Sequence, residues 1–257
     1  MSNVVAAILL TAIAGLSTGV GGLFTFFSKK LNTKFLSLTL GLSAGVMIYI
    51  SFVELLAKSG AGLLVTFEPK TATILNTVVF FVGMFVVALI DRFIPEAQLN
   101  RNAGDNENGL MRTGVVTALA LGIHNFPEGM ATFVSALESP SMALPIVCAI
   151  AIHNIPEGIA VSVPIFYATK SRKKAFWYSL LSGIAEPVGA VIGYLILMPF
   201  MNEMVESFVF SAVAGIMVFI SVSELLPAAN ENGEYKLSTL GFVLGMAVMA
   251  ISLIGFM

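Results

Sequence analysis

The sequence predicts an all-α integral membrane protein with eight transmembrane helices. Three observations carry that expectation. Of the 257 residues, 57% are hydrophobic, only 11% are charged, and the apolar residues gather into eight stretches long enough to cross a bilayer. A soluble domain is roughly 45–50% apolar and about 25% charged, so 13 basic and 15 acidic side chains are too few to coat a water-exposed surface. The mean hydropathy of +0.94 excludes disorder. A net charge of −2 leaves no basic footprint for nucleic acid. The single cysteine, Cys148, rules out a disulfide framework or a thiolate metal cluster and is read as a small buried thiol.

A spanning helix needs about 20 mostly apolar residues. The qualifying stretches lie at about 3–27, 34–56, 72–94, 112–137, 142–168, 174–199, 205–228 and 237–257. Together they make residues 1–257 one polytopic membrane domain. No Lys or Arg precedes the first stretch and no cleavage-site pattern follows it, so it reads as a retained helix. The longest connection, 95–111, is polar and Asn/Gly-rich and reads as a loop. Basic residues set the orientation. Lys29, Lys30, Lys34, Arg92, Arg101, Arg112, Lys170, Arg172, Lys173, Lys174 and Lys236 fall at the loops after spans one, three, five and seven, and only Lys58 and Lys70 lie opposite. The positive-inside rule then puts the loop 95–111 in the cytoplasm and both termini outside. Phe176, Trp177 and Tyr178 open span six as interface anchors. The pairs Gly15/Gly19, Gly41/Gly45, Gly189/Gly193 and Gly241/Gly245 are spaced for close helix packing in lipid.

Two internal repeats follow. AGVMIYISFVELL (Ala44–Leu56) returns as AGIMVFISVSELL (Ala214–Leu226), sharing Ser51/Ser221 and Glu54/Glu224. Span two runs outward and span seven inward, so the copies are inverted, an arrangement transporters use to build two halves around a central site. Between them, His124-Asn125-Phe126-Pro127-Glu128-Gly129 in span four returns as His153-Asn154-Ile155-Pro156-Glu157-Gly158 in span five, with the chain's only two histidines.

Residues i and i+4 of a helix share a face. His124 therefore points with Glu128 and His153 with Glu157, while Asn125 and Asn154 sit on the adjoining edges. Pro127 and Pro156 remove an N–H each and free the carbonyls of Ile123 and Ile152. Glu186, before Pro187, brings a third carboxylate to similar depth in span six. A charge at the bilayer centre costs about 2.5–3.5 kcal/mol on insertion scales. No Lys or Arg lies at that depth, so three carboxylates must protonate, pair with histidine or bind a cation. Mixed nitrogen and oxygen ligands suit first-row divalent ions, and the absence of thiolate fits passage better than permanent residence. A polar clamp between helices and a metal-free proton relay are the competing uses of the same residues.

Eight spans, outward termini, HNFPEG followed by HNIPEG, and Glu186 within GIAEPVG resemble the ZIP (Zrt-, Irt-like) family of divalent-metal transporters along essentially the whole chain. The resemblance implies an eight-helix bundle in which spans one to three are inverted against six to eight around the central pair four and five, a binuclear metal centre, and often a homodimer. By position, one metal would be held by His124, Glu128, His153 and Glu157, and a second by Asn125, Asn154 and Glu186 sharing the motif carboxylates. Met47 stands where relatives can place a soft ligand, or it simply packs the core. Glu54 and Glu224 lie near opposite mouths, as cation guides or as ordinary interfacial carboxylates. Unlike many relatives, the loop 95–111 has no histidine, which removes the basis for metal sensing there.

The expectation is an importer of Zn²⁺, and of Fe²⁺, Mn²⁺ or Co²⁺, into the cytoplasm by alternating access across a bacterial cytoplasmic (inner) membrane. The metal is cargo, and no permanently bound cofactor is expected. No GxxxxGK[ST] loop points to ATP. The rival reading is a proton-coupled cation antiporter or exporter. An intramembrane metalloenzyme is the weaker rival, since HExxH spacing and a marked nucleophile are missing.

Overall fold

The computed structural model describes residues 3–27, 33–92, 107–138, 140–230 and 234–255. They form eight long helices and, among the described residues, no strand. These are α1 (Asn3–Phe27), α2 (Thr33–Thr66), α3 (Pro69–Asp91), α4 (Glu107–Glu138), α5 (Pro140–Thr169), α6 (Arg172–Leu197), α7 (Glu203–Asn230) and α8 (Tyr235–Gly255). All but α4 are long and apolar enough to cross a membrane. Helix α4 is 32 residues long and carries His124, Asn125 and Glu128 in its middle, which lowers its hydropathy. The chain is therefore an all-α, multi-pass membrane protein. Of the loop read at 95–111, residues 107–111 belong to α4, and the rest lies outside the described residues.

Helix α2 departs from its expected end at residue 56. It runs on through Lys58-Ser59-Gly60 to Thr66. The polar residues that look like a break are instead partners for other helices. Ser59 Oγ lies 2.8 Å from Asn76 Oδ1 of α3 and 2.7 Å from the Ser207 carbonyl of α7. Asn76 Nδ2 donates to the Leu56 carbonyl at 3.0 Å, and Ser211 Oγ donates to the Asn76 carbonyl at 2.7 Å. Glu54 is thereby inside a continuous helix, with 11 residues beyond its widened turn, about 16 Å at the usual rise per residue. It is not at the helix end, as a span closing at 56 would place it.

The repeated Ser and Glu have a structural cause. Both copies open into a π-helical turn, at Ser51–Leu55 and at Ser221–Leu225. In each, the serine hydroxyl donates to a methionine carbonyl one turn back, Ser51 to Met47 and Ser221 to Met217, both at 2.7 Å. Hydroxyls that satisfy a disturbed ladder let such turns persist inside a helix.

Packing follows the same inverted twofold. Helix α2 lies on α8 as α7 lies on α3, and α1 lies on α5 as α6 lies on α4. A Cβ at Gly45 would strike the Phe242 carbonyl, and one at Gly215 the Phe80 carbonyl; Gly83 and Gly245 face the carbonyls of Ala212 and Leu42 in the same way. On the axis, Gly15 and Gly183 face each other's carbonyls. All four glycine pairs read from the sequence lie at helix contacts. The buried core runs along α2, α4, α5 and α7, while α3 presents Phe81 and Phe85 outward. Gly45→Ala is expected to cost about 1–3 kcal/mol by overpacking, whereas Gly122→Ala meets nothing within 4 Å. In a thermal melt of detergent-solubilised protein the first variant should unfold several degrees early and the second should not. A Gly45→Ala melt at the parent temperature would contradict the contact.

Candidate metal centre

Three proline-containing helices, α4, α5 and α6, deliver the polar residues to the middle of the bundle. The described helices run unbroken through Pro127, Pro156 and Pro187. Asn125 and Glu128 come from α4, His153, Asn154 and Glu157 from α5, and Glu186 from α6. Each is at most 1% exposed. No Lys or Arg is among the described buried residues.

The groups meet in pairs. His153 Nε2 lies 2.9 Å from Glu128 Oε1, so the histidine faces the carboxylate of the opposite helix. Glu157 Oε1 accepts from Ser43 Oγ of α2 at 3.3 Å. Asn154 Nδ2 donates both to Glu186 Oε1 and to the Ala14 carbonyl of α1, the latter at 3.0 Å. Asn125 Nδ2 donates to the Ser182 carbonyl of α6 at 3.1 Å. Because both amide nitrogens are turned to backbone, Asn125 Oδ1, Asn154 Oδ1 and Glu186 Oε2 have no hydrogen-bond partner within the protein. Three buried oxygen acceptors without donors are what a cation or its bound water can use, and burying them otherwise costs free energy.

Among the described residues no three His, Cys, Asp or Glu side chains stand close enough to hold one ion. The described site residues stand as neighbouring pairs. His124 lies on α4, and its side chain is outside the described residues. Met47 is fully buried on α2, one turn from Ser43. Its repeat mate Met217 lines a small apolar cavity with Ile50, Leu55, Glu128, Thr132 and Ile150. Glu54 and Glu224 sit half-buried in the two widened turns, outside these pairs. Ser43 and Met217 were missed by sequence reasoning. Met217 had a signal in its repeat with Met47, whereas Ser43 is one small residue in an apolar helix and had none.

Helices of this length, with acidic groups sunk among them, define a multi-pass membrane protein built around an acidic interior. The pattern of the family described as ZIP Zinc transporter matches residues 95–253. Similar proteins called Zinc transporter ZupT include one from Clostridium perfringens, 51% identical over 100% of this chain and 98% of its own. Another, from Streptococcus mutans, is 53% identical over 97% of both chains, and one from Oceanobacillus iheyensis is 53% identical over 99% of both. This chain belongs to the ZIP family.

Asn154 makes two of these bonds where Asn125 makes one. In chelator-containing buffer Asn154→Ala is therefore expected to lower the melting temperature more than Asn125→Ala, with about 1–3 kcal/mol for each buried partner left unmade. Equal melting temperatures would show that the Glu186 bond adds no stability.

Proposed function

We propose that the protein imports divalent transition-metal ions, Zn²⁺ foremost, into the cytoplasm. The observation that carries this is the set of Glu128, Glu157 and Glu186, each at most 1% exposed among membrane-length helices with no described buried Lys or Arg beside them. A fixed mid-membrane acid cluster is tolerable when a doubly positive guest offsets it. The family and its ZupT-named relatives support zinc as the guest. Imidazole with carboxylate also accommodates Fe²⁺, Mn²⁺ and Co²⁺.

In this reading His124, Glu128, His153 and Glu157 hold one ion, and Asn125, Asn154 and Glu186 share the carboxylates with a second. The orphaned oxygens of Asn125, Asn154 and Glu186 support that second group. A water-sized apolar cavity beside Glu128 lies on the α4 C-terminal side, which the distribution of Lys and Arg makes the outer side. Met217 shares a cavity with Glu128, Met47 lies one turn from the Glu157 donor Ser43, and thioethers suit a soft, partly dehydrated ion. Helix α7, with Glu224, continues towards the cytoplasm. The membrane is the bacterial inner membrane, with both termini outside.

Zinc accumulation in cells lacking other uptake routes tests the proposal. His124→Ala and Glu157→Ala are each expected to reduce it more than about tenfold, given that even outer-shell partners are worth 10–100-fold. Trp177→Phe, on the exposed belt, should leave it unchanged. A Glu157→Ala variant of parental abundance and parental accumulation would remove Glu157 from the pathway and end the proposal.

A further inference from the structure

Buried threonines in helices normally return their hydroxyl to their own backbone. Of the four among the described buried residues, Thr11, Thr25 and Thr132 do so, to the carbonyls of Ala7, Gly22 and Glu128 at 2.9, 3.0 and 2.9 Å. Thr18 of α1 is fully buried, and its Oγ1 has no hydrogen-bond partner within the protein. Native proteins rarely leave such a group unserved, so it calls for a bound one.

Its location identifies the group. Thr18 Oγ1 would lie 2.8 Å from a Cβ placed on Gly183 of α6. Asn125 donates to the carbonyl of Ser182, the preceding residue. Thr18 Oγ1 and Asn125 thus reach the same turn of α6, and Asn125 Oδ1 is the other orphan there. The twofold repeats this geometry on the opposite side. Glu186 Cβ would lie 3.2 Å from a Cβ on Gly15, and Asn154 donates to the carbonyl of Ala14. Thr18 is therefore the structural mate of Glu186, as Asn125 is of Asn154. One half of the centre offers an amide and a carboxylate, the other an amide and a hydroxyl.

We infer that Thr18 is a specificity-determining residue. With Asn125 it forms a neutral, all-oxygen half-site that seats a water molecule carried by the cation. This rests on the metal-import reading above. A hydroxyl in place of a fourth carboxylate keeps the centre from over-binding, and a seated water favours cations that keep six oxygen-rich ligands. Mn²⁺ is such an ion, whereas Zn²⁺ settles into four-coordinate sites that include imidazole.

The test is uptake of radiolabelled Zn²⁺ into proteoliposomes with Mn²⁺ as competitor. Thr18→Val keeps the shape and removes the hydroxyl. The Mn²⁺ concentration that halves uptake is expected to rise about tenfold, the low end for an outer-shell partner, with little change in the KM for Zn²⁺. Thr18→Ser should restore parental competition, and Thr18→Ala, a second hydroxyl-free variant, should behave like Thr18→Val. The inference is overturned if Thr18→Val and Thr18→Ala compete as the parent does, if they lose both metals together, or if Mn²⁺ does not compete in the parent. Each of those results leaves the import reading standing. That reading fails instead if Glu157→Ala protein still carries Zn²⁺.

Discussion

Acidic side chains held in a low-dielectric interior are the constraint around which this molecule is organised. A carboxylate far from water is costly unless an opposite charge or several donors offset it. The described donors include one imidazole at Glu128, one serine hydroxyl at Glu157 and one amide at Glu186. Asn125 Oδ1, Asn154 Oδ1 and Glu186 Oε2 stay without a donor, which an ordinary polar clamp would supply. No Lys or Arg is among the described buried residues to meet the acidic groups.

The inverted twofold gives this demand two faces that are related but unequal. Backbone contacts repeat closely, from Gly45 and Gly215 to the paired widened turns. Departures from the symmetry collect at the centre. Ser43 faces Glu157 where its mate Val213 shares a cavity with Glu128, and Thr18 stands opposite Glu186. A symmetric scaffold favours two related arrangements of the same helices. The side chains at its axis are unequal, and this structure has a small apolar cavity on the Glu128 side.

The fold was legible because bilayer length and hydropathy act directly on sequence. The two HNxPEG copies were legible for the same kind of reason: five residues recur at fixed spacing in an apolar background. What escaped was set by neighbours distant in the chain. Lys58-Ser59-Gly60 reads as a helix end, yet Asn76 and Ser207 supply partners that let α2 continue. Helical phase puts His153 and Glu157 on one face; the pairing of His153 with Glu128 depends on α4 and α5 packing side by side. The repeat of Ser51 and Ser221 was visible; the widened turn each one supports was not, since a π-turn has no periodicity of its own.

Glycine packing and ligand orientation turn out to be one arrangement. Asn154 turns its amide nitrogen to the Ala14 carbonyl of α1, a helix that Gly21 lets close to the Ile155 carbonyl of α5 and that Gly15 and Gly183 let close to α6. Gly158 admits the Thr18 carbonyl and Gly129 the Glu186 carbonyl, which brings α1 against α5 and α6 against α4. With both amines spent on backbone, the two amide oxygens are the atoms left to face the centre. A bulkier residue at Gly158 or Gly129 would therefore do more than loosen two helices. It would draw back the helices whose carbonyls fix the asparagines, release the amides to rotate, and exchange acceptors for donors at a site whose chemistry requires acceptors.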